Sequence, residues 1–122
     1  MKNILLTAVA ALALTLGTVD AAAQKPASVI HVVTIKWKAG TTPEQIAAAL
    51  KGAETVSNSY NGITRIWTKA LKVQGAGYTH AIVMEFKDEK ALKDYTDSPA
   101  QKEWYKIYLP LREQSTTHDI TN

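Results

Sequence analysis

An α+β sandwich, with four antiparallel strands carrying helices on one face, follows from three observations on this 122-residue sequence. Two stretches, Val29-Ile30-His31-Val32-Val33-Thr34-Ile35-Lys36-Trp37-Lys38 and Gly77-Tyr78-Thr79-His80-Ala81-Ile82-Val83-Met84-Glu85-Phe86, alternate at strand period, each with a histidine near its start. Two segments open with the cap-plus-proline signature of a helix start, Thr42-Pro43 and Ser98-Pro99. The order that results is βαββαβ with the second helical region broken in two, a pattern that places helices on one face of an antiparallel sheet.

The chain opens with Lys2 and an almost unbroken apolar run from Ile4 to Leu16, followed by Ala21-Ala22-Ala23. This is the pattern of a secretory signal peptide over residues 1–23, too short to span a bilayer, where ~20 apolar residues are needed. An exported protein, periplasmic or secreted, is therefore expected, with no stable membrane insertion after cleavage. The sequence has no cysteine, which excludes disulfides, thiol catalysis and a lipidated cysteine. A net charge of +3 is spread through mixed runs such as Asp88-Glu89-Lys90 and Lys102-Glu103, a solvated surface and no nucleic-acid stripe.

Residues 24–28 read as a flexible lead-in and residues 29–121 as one domain. The first strand puts Val29, His31, Val33, Ile35 and Trp37 on one face and Ile30, Val32, Thr34, Lys36 and Lys38 on the other. Both faces begin apolar, so both should be covered. Thr42 and Gln45 complete a capping box around Pro43, and Ile46, Ala49, Leu50, Ala53 and Val56 then share one helix face. That face is mostly small, which allows a close approach to its support. Asn61-Gly62 ends the helix.

A second strand is expected from Ile63 to Val73, with Ile63, Arg65, Trp67, Lys69 and Leu71 on one face and Thr64, Ile66, Thr68 and Ala70 on the other, and Gln74-Gly75-Ala76-Gly77 turns it into the third. There Tyr78, His80, Ile82, Met84 and Phe86 share a face. Asp88 caps a short helix through Asp97 that buries Ala91, Leu92 and Tyr95. Trp104, Ile107, Tyr108 and Leu111 recur at helical spacing after Ser98-Pro99, and Pro110 ends that segment. Thr116 to Thr121 is left as a closing strand. Ile30, Val32, Ile66, Ala81 and Val83 then form a bare apolar sheet face with no remaining segment to cover it. A second copy is the simplest cover, so a homodimer with sheets face to face is expected.

His31-Val32-Val33-x-Ile35-Lys36-Trp37-Lys38, Gly77-Tyr78-Thr79-His80-Ala81, Glu85-Phe86, Asp94-Tyr95, Ser98-Pro99-Ala100 and Leu109-Pro110-Leu111 occur in that order. Together they resemble the landmarks of the stress-responsive A/B barrel domain family over nearly all of the mature chain. The resemblance implies a ferredoxin-like fold and a dimer whose sheets form an α/β barrel. It also implies a distant similarity to a plant polyketide cyclase, olivetolic acid cyclase, which works in a pocket between sheet and helices. By that similarity Tyr95 matches a catalytic tyrosine, and His31 and His80 match pocket histidines. The catalytic histidine position falls on Gln101 and a further pocket tyrosine on Ala53. Glutamine has no titrating nitrogen and cannot shuttle a proton as imidazole does.

On their own residues, His31 and His80 are either core histidines bonded to backbone or hydroxyl, or the lining of a pocket. A metal shared by the pair is not expected, because centred pairing of their strands sets the rings roughly 15 Å apart. No cofactor is implied. Gly75–Gly77 joins two strands and opens no helix, so it is no phosphate loop, and no nucleophile elbow occurs. The expected function is an exported dimer binding a small apolar or aromatic molecule among His31, His80, Tyr95, Trp37 and Trp104. Two alternatives stand beside it. One is an acid–base enzyme, cyclase-like or otherwise, using His80 or His31 with Tyr95; the other is a structural, stress-related dimer whose pocket its own side chains fill.

Overall fold

The computed structural model describes residues 22–122, so the apolar run of the expected signal peptide lies outside the described residues. The elements follow as β1 (Val29–Trp37), α1 (Pro43–Ser59), β2 (Ile63–Trp67), β3 (His80–Phe86), α2 (Glu89–Tyr95), α3 (Pro99–Tyr108) and β4 (Arg112–Ile120). The sheet order is β2-β3-β1-β4, and every neighbouring pair is antiparallel. This is the ferredoxin-like βαββαβ arrangement, with the two apolar strands central and the two more polar ones at the edges. No helix among the described residues is long and apolar enough to cross a membrane.

The caps act as their residue types dictate. Thr42 Oγ1 accepts from the Gln45 amide while Gln45 Oε1 accepts from the Thr42 amide, so two orphan donors at the start of α1 are satisfied reciprocally. Asp88 and Ser98 accept from Ala91 and Gln101 in the same way. Ala49, Ala53 and Val56 of α1 are buried, and their small size lets α3 come close enough for Trp104 Nε1 to donate to the Ala49 carbonyl at 2.9 Å. A Cβ on Gly52 would stand 2.8 Å from Trp104 Cδ1, so the indole occupies the space that a side chain at Gly52 would need.

The inner sheet face supplies Val29, Val33 and Ile35 from β1 and Ile82, Met84 and Phe86 from β3, all buried beneath the helices with Tyr95, Trp104 and Tyr108. His31 pairs with Met84 and His80 with Ile35, so both histidines also belong to the inner face.

Four boundaries differ from the sequence reading. β2 ends at Trp67, well short of Val73, and residues 68–79 form a loop. β3 begins at His80, because Tyr78 turns back to the Gly75 carbonyl. α2 stops at Tyr95, two residues before Asp97. β4 begins at Arg112, four residues before Thr116, because its pairing with β1 holds even where its own sequence is polar. One face assignment also changes. A register shift between Ile63 and Arg65 inserts an extra residue, which sends Ile66 into the core with Met84 and turns Trp67 outward beside Val83. The outer face therefore carries Ile30, Val32, Ala81, Val83, Trp67 and Ile120, with Glu85 held by Arg65 Nε at 2.6 Å. Among the described residues no helix packs over it.

Candidate functional site

A cavity of about 220 Å³ opens between the β1–β4 side of the sheet and the α2–α3 pair. Its sheet wall is His31, Val33, Ser115 and Thr117; its helix wall includes Tyr95, Gln101, Trp104, Tyr105 and Tyr108, with Arg112 at one end. Strand alternation explains the first wall. His31, Val33 and Ile35 are odd positions of β1, and Asp119, Thr117 and Ser115 are their respective partners across the β4 ladder.

His31 Nδ1 lies 2.5 Å from Asp119 Oδ1, and its ring stands edge-on to Phe86 at 5.9 Å. An ionised carboxylate can only accept, so Nδ1 carries the proton of this contact. In the neutral ring that leaves Nε2 as an acceptor, the arrangement by which a carboxylate fixes the tautomer of a working histidine. Asp119 had no place in the sequence reading. The signal was there: His118 and Ile120 share one strand face, which puts Asp119 on the opposite, helix-facing one.

Tyr95 closes α2 and is 2% exposed, its ring tilted onto Phe86 at 5.2 Å and Tyr60 at 5.5 Å. Its hydroxyl, like that of Tyr108, is buried with no hydrogen-bond partner among the described residues. Burial, followed by the nearby Tyr105 and Tyr60 phenols, pushes its ionisation well above the ordinary phenol range, so Tyr95 stays a neutral donor at physiological pH. Trp104 stacks on Tyr108 at 4.5 Å with planes 7° apart, giving the helix wall a flat aromatic surface.

Gln101 is fully committed to structure. Its Oε1 accepts from the Asp97 amide at 2.7 Å, and its Nε2 donates to the Tyr105 hydroxyl at 3.2 Å. The residue at the expected catalytic histidine position therefore lines the cavity and clamps the α2–α3 corner.

The five residues expected at the site divide. His31, Tyr95 and Trp104 share the cavity. His80 and Trp37 do not line it; they face each other at the other end of β1, where Trp37 Nε1 donates to His80 Nδ1 at 2.9 Å and the Thr79 hydroxyl lies 2.8 Å from the same nitrogen. Trp37 reaches the cavity only through Tyr108, on which it stands edge-on at 6.0 Å. His80 pairs with Ile35, four positions along β1 from His31, which separates the histidines by about 14 Å along the strands. Tyr105, Arg112 and Ser115 are lining residues that the sequence reading did not single out; no local pattern marks them. Among the described residues no group of three or more His, Cys, Asp or Glu side chains is arranged to hold a metal ion.

The family model for the stress responsive A/B barrel domain matches residues 29–122. A stress-response A/B barrel domain-containing protein of Arabidopsis thaliana is 30% identical over 82 residues, which cover 65% of this chain and 75% of the relative. Among solved structures, the hydroxynitrile lyase of Passiflora edulis superposes with a TM-score of 0.70 at 19% identity, over 78% of this chain and 93% of that one. A dimeric protein of unknown function with a ferredoxin-like fold, from Bacteroides fragilis, gives a TM-score of 0.65 at 18% identity, over 81% and 100% of the two chains. At these identities the two structures share the fold with this chain.

Proposed function

This chain belongs to the stress responsive A/B barrel domain family, and from that premise we propose an exported homodimer whose sheet–helix cavity binds a small, flat, largely apolar molecule carrying one hydrogen-bond acceptor. The observation that carries the reading is the Tyr95 hydroxyl, a donor buried in the wall of that cavity without a partner among the described residues. Leaving such a group unpaired costs roughly 1–3 kcal/mol, and an acceptor brought in by a ligand recovers it. The aromatic wall of Trp104 and Tyr108 favours a planar ring, and a volume near 220 Å³ suits a compound smaller than most drugs. Export is supported by the apolar run and alanine triplet at the N-terminus. The dimer is supported by the apolar outer sheet face and by the dimeric Bacteroides fragilis protein of the same fold.

Titrating the protein with simple phenolic and aryl ketone compounds, and reading the fluorescence of Trp104 against a Trp104→Phe control, tests the binding. Saturable quenching that Tyr95→Phe weakens about tenfold is expected, the worth of one lost hydrogen bond in a dry site. No saturable response from any compound would refute the cavity as a binding site.

A second reading rests on the His31–Asp119 contact. A histidine whose tautomer is set by a carboxylate, in one cavity with a neutral phenol donor, has the makings of an acid–base pair: His31 Nε2 to take a proton, Tyr95 to stabilise a carbonyl oxygen. The fold can carry an enzyme, since the Passiflora edulis neighbour is one. In this reading turnover of a carbonyl-bearing ligand vanishes in His31→Ala while binding persists; turnover that survives the change would refute it.

A further inference from the structure

The loop that joins β2 to β3, residues 68–79, is the longest connection without helix or strand of its own in the described chain, about a dozen residues, near the length at which irregular loops become uncommon and are often functional. It is tied down at both ends. The Thr68 hydroxyl donates to Glu54 Oε1 at 3.0 Å, Tyr78 turns back onto the Gly75 carbonyl at 3.2 Å, and the Thr79 amide donates to the Ile35 carbonyl at 3.1 Å. Gly77, at φ 80, lies so close to the Lys36 side chain that a Cβ there would meet Lys36 Cε at 2.7 Å. Yet Leu71, near the middle of this anchored loop, is 96% exposed. A single exposed leucine is ordinary by itself; this one stands on a loop held at both ends, and the loop continues directly from Trp67, which is 44% exposed on the outer sheet face.

We infer that residues 69–73 form an arm that reaches onto a second copy of this chain, with Leu71 as its apolar contact. The inference rests on the homodimer reading above and adds a contact that the sheet faces do not supply. Continuity selects the second copy as occupant. Trp67 and Val83 pair across the outer face, and Val32 follows in the same row, so the arm leaves the protomer from the rim of the surface that reading covers with a partner. A two-fold dimer makes such a contact twice, once in each direction, so even a modest patch counts double.

The test uses the full mature chain. Leu71→Ser touches nothing inside the protomer, so its secondary structure should match the unaltered protein. Its dimer dissociation constant, from sedimentation velocity over a concentration series, should rise by about tenfold or more. Because the sequence has no cysteine, Leu71→Cys also places a single thiol at the contact. Its alkylation rate should fall as the protein is concentrated into the dimer. An unaltered protein that stays monomeric throughout would overturn the dimer reading and this inference with it. A dimer whose dissociation constant and thiol reactivity ignore position 71 would overturn the arm alone. Loss of co-sedimentation with anionic phospholipid vesicles in Leu71→Ser, with dimerisation unchanged, would also overturn it by assigning Leu71, between Lys69 and Lys72, to a lipid surface.

Discussion

Replacing Tyr95 by phenylalanine should stabilise the protein while weakening its site, two effects of opposite sign from one oxygen atom. The ring is 2% exposed and packs on Phe86 and Tyr60, contacts that phenylalanine keeps. The oxygen is buried and makes no hydrogen bond among the described residues, so its removal costs no bond there and relieves a desolvation penalty of about 1–3 kcal/mol. Taking the low end, ~1 kcal/mol, the melting temperature of a domain near 100 residues should rise by about 4–8 °C. Urea unfolding at matched protein concentration, read by far-ultraviolet circular dichroism, gives the free energy directly. The midpoint should move up with the slope unchanged. If the variant instead loses ~0.5 kcal/mol or more, the hydroxyl has a partner in the native protein, and the reasoning that ties it to a ligand fails with it. Gained stability together with lost affinity would mark position 95 as one where function is held against stability.

Three further outcomes follow from the same geometry. Gly52→Ala should destabilise by about 1–3 kcal/mol despite the better helix propensity of alanine, because the new methyl meets a Trp104 indole fixed by its stack on Tyr108 and its bond to Ala49; thermal melts of the pair decide. Thr42→Ala should cost about 1 kcal/mol in chemical denaturation through loss of the capping box at α1. Stability should fall above about pH 10. Burial raises the ionisation of Tyr95, Tyr105 and Tyr108 in the folded state, so the unfolded chain releases those protons first, and by about pH 11 Tyr95, the most strongly shifted, has removed roughly 1.4 kcal/mol. Tyr95→Phe should make that decline shallower, and an unchanged slope would mean Tyr95 ionises in place.

Much of the fold was legible because its signals are local. Caps at Thr42, Asp88 and Ser98, alternation in β1 and β3, and the small face of α1 each depend on a few adjacent residues, and the structure has all of them. The errors lie where geometry is decided across strands. A period-two count cannot see an inserted residue, so the shift after Ile63 sent Ile66 and Trp67 to faces opposite those expected. Lys69 and Leu71 continue the alternation of β2, yet the ladder to β3 ends at Trp67, and the Thr68 hydroxyl is bonded to Glu54 of α1. Of the five residues expected together, the structure brings His31, Tyr95 and Trp104 to one cavity, each on a face set by its own element. The separation of the two histidines was legible from centred pairing, close to what the ladder gives, but side-chain parity does not say which residues share a cavity. Asp119 became visible only with the β1–β4 register.

The corner between α2 and α3 has a consequence for the dimensions of the cavity. Asp97 takes φ 62, a left-handed conformation that few non-glycine residues adopt, and its amide is gripped by Gln101. Tyr95 lies two residues before that corner and Trp104 three residues after the gripping glutamine, so much of the helix wall hangs from one joint. A substitution at Asp97 or Gln101 would tilt two helices against each other and reshape the space between them, leaving every residue on the sheet wall as it was. A change at this turn alone would thus alter the dimensions of the cavity while leaving the contact between His31 and Asp119 in place.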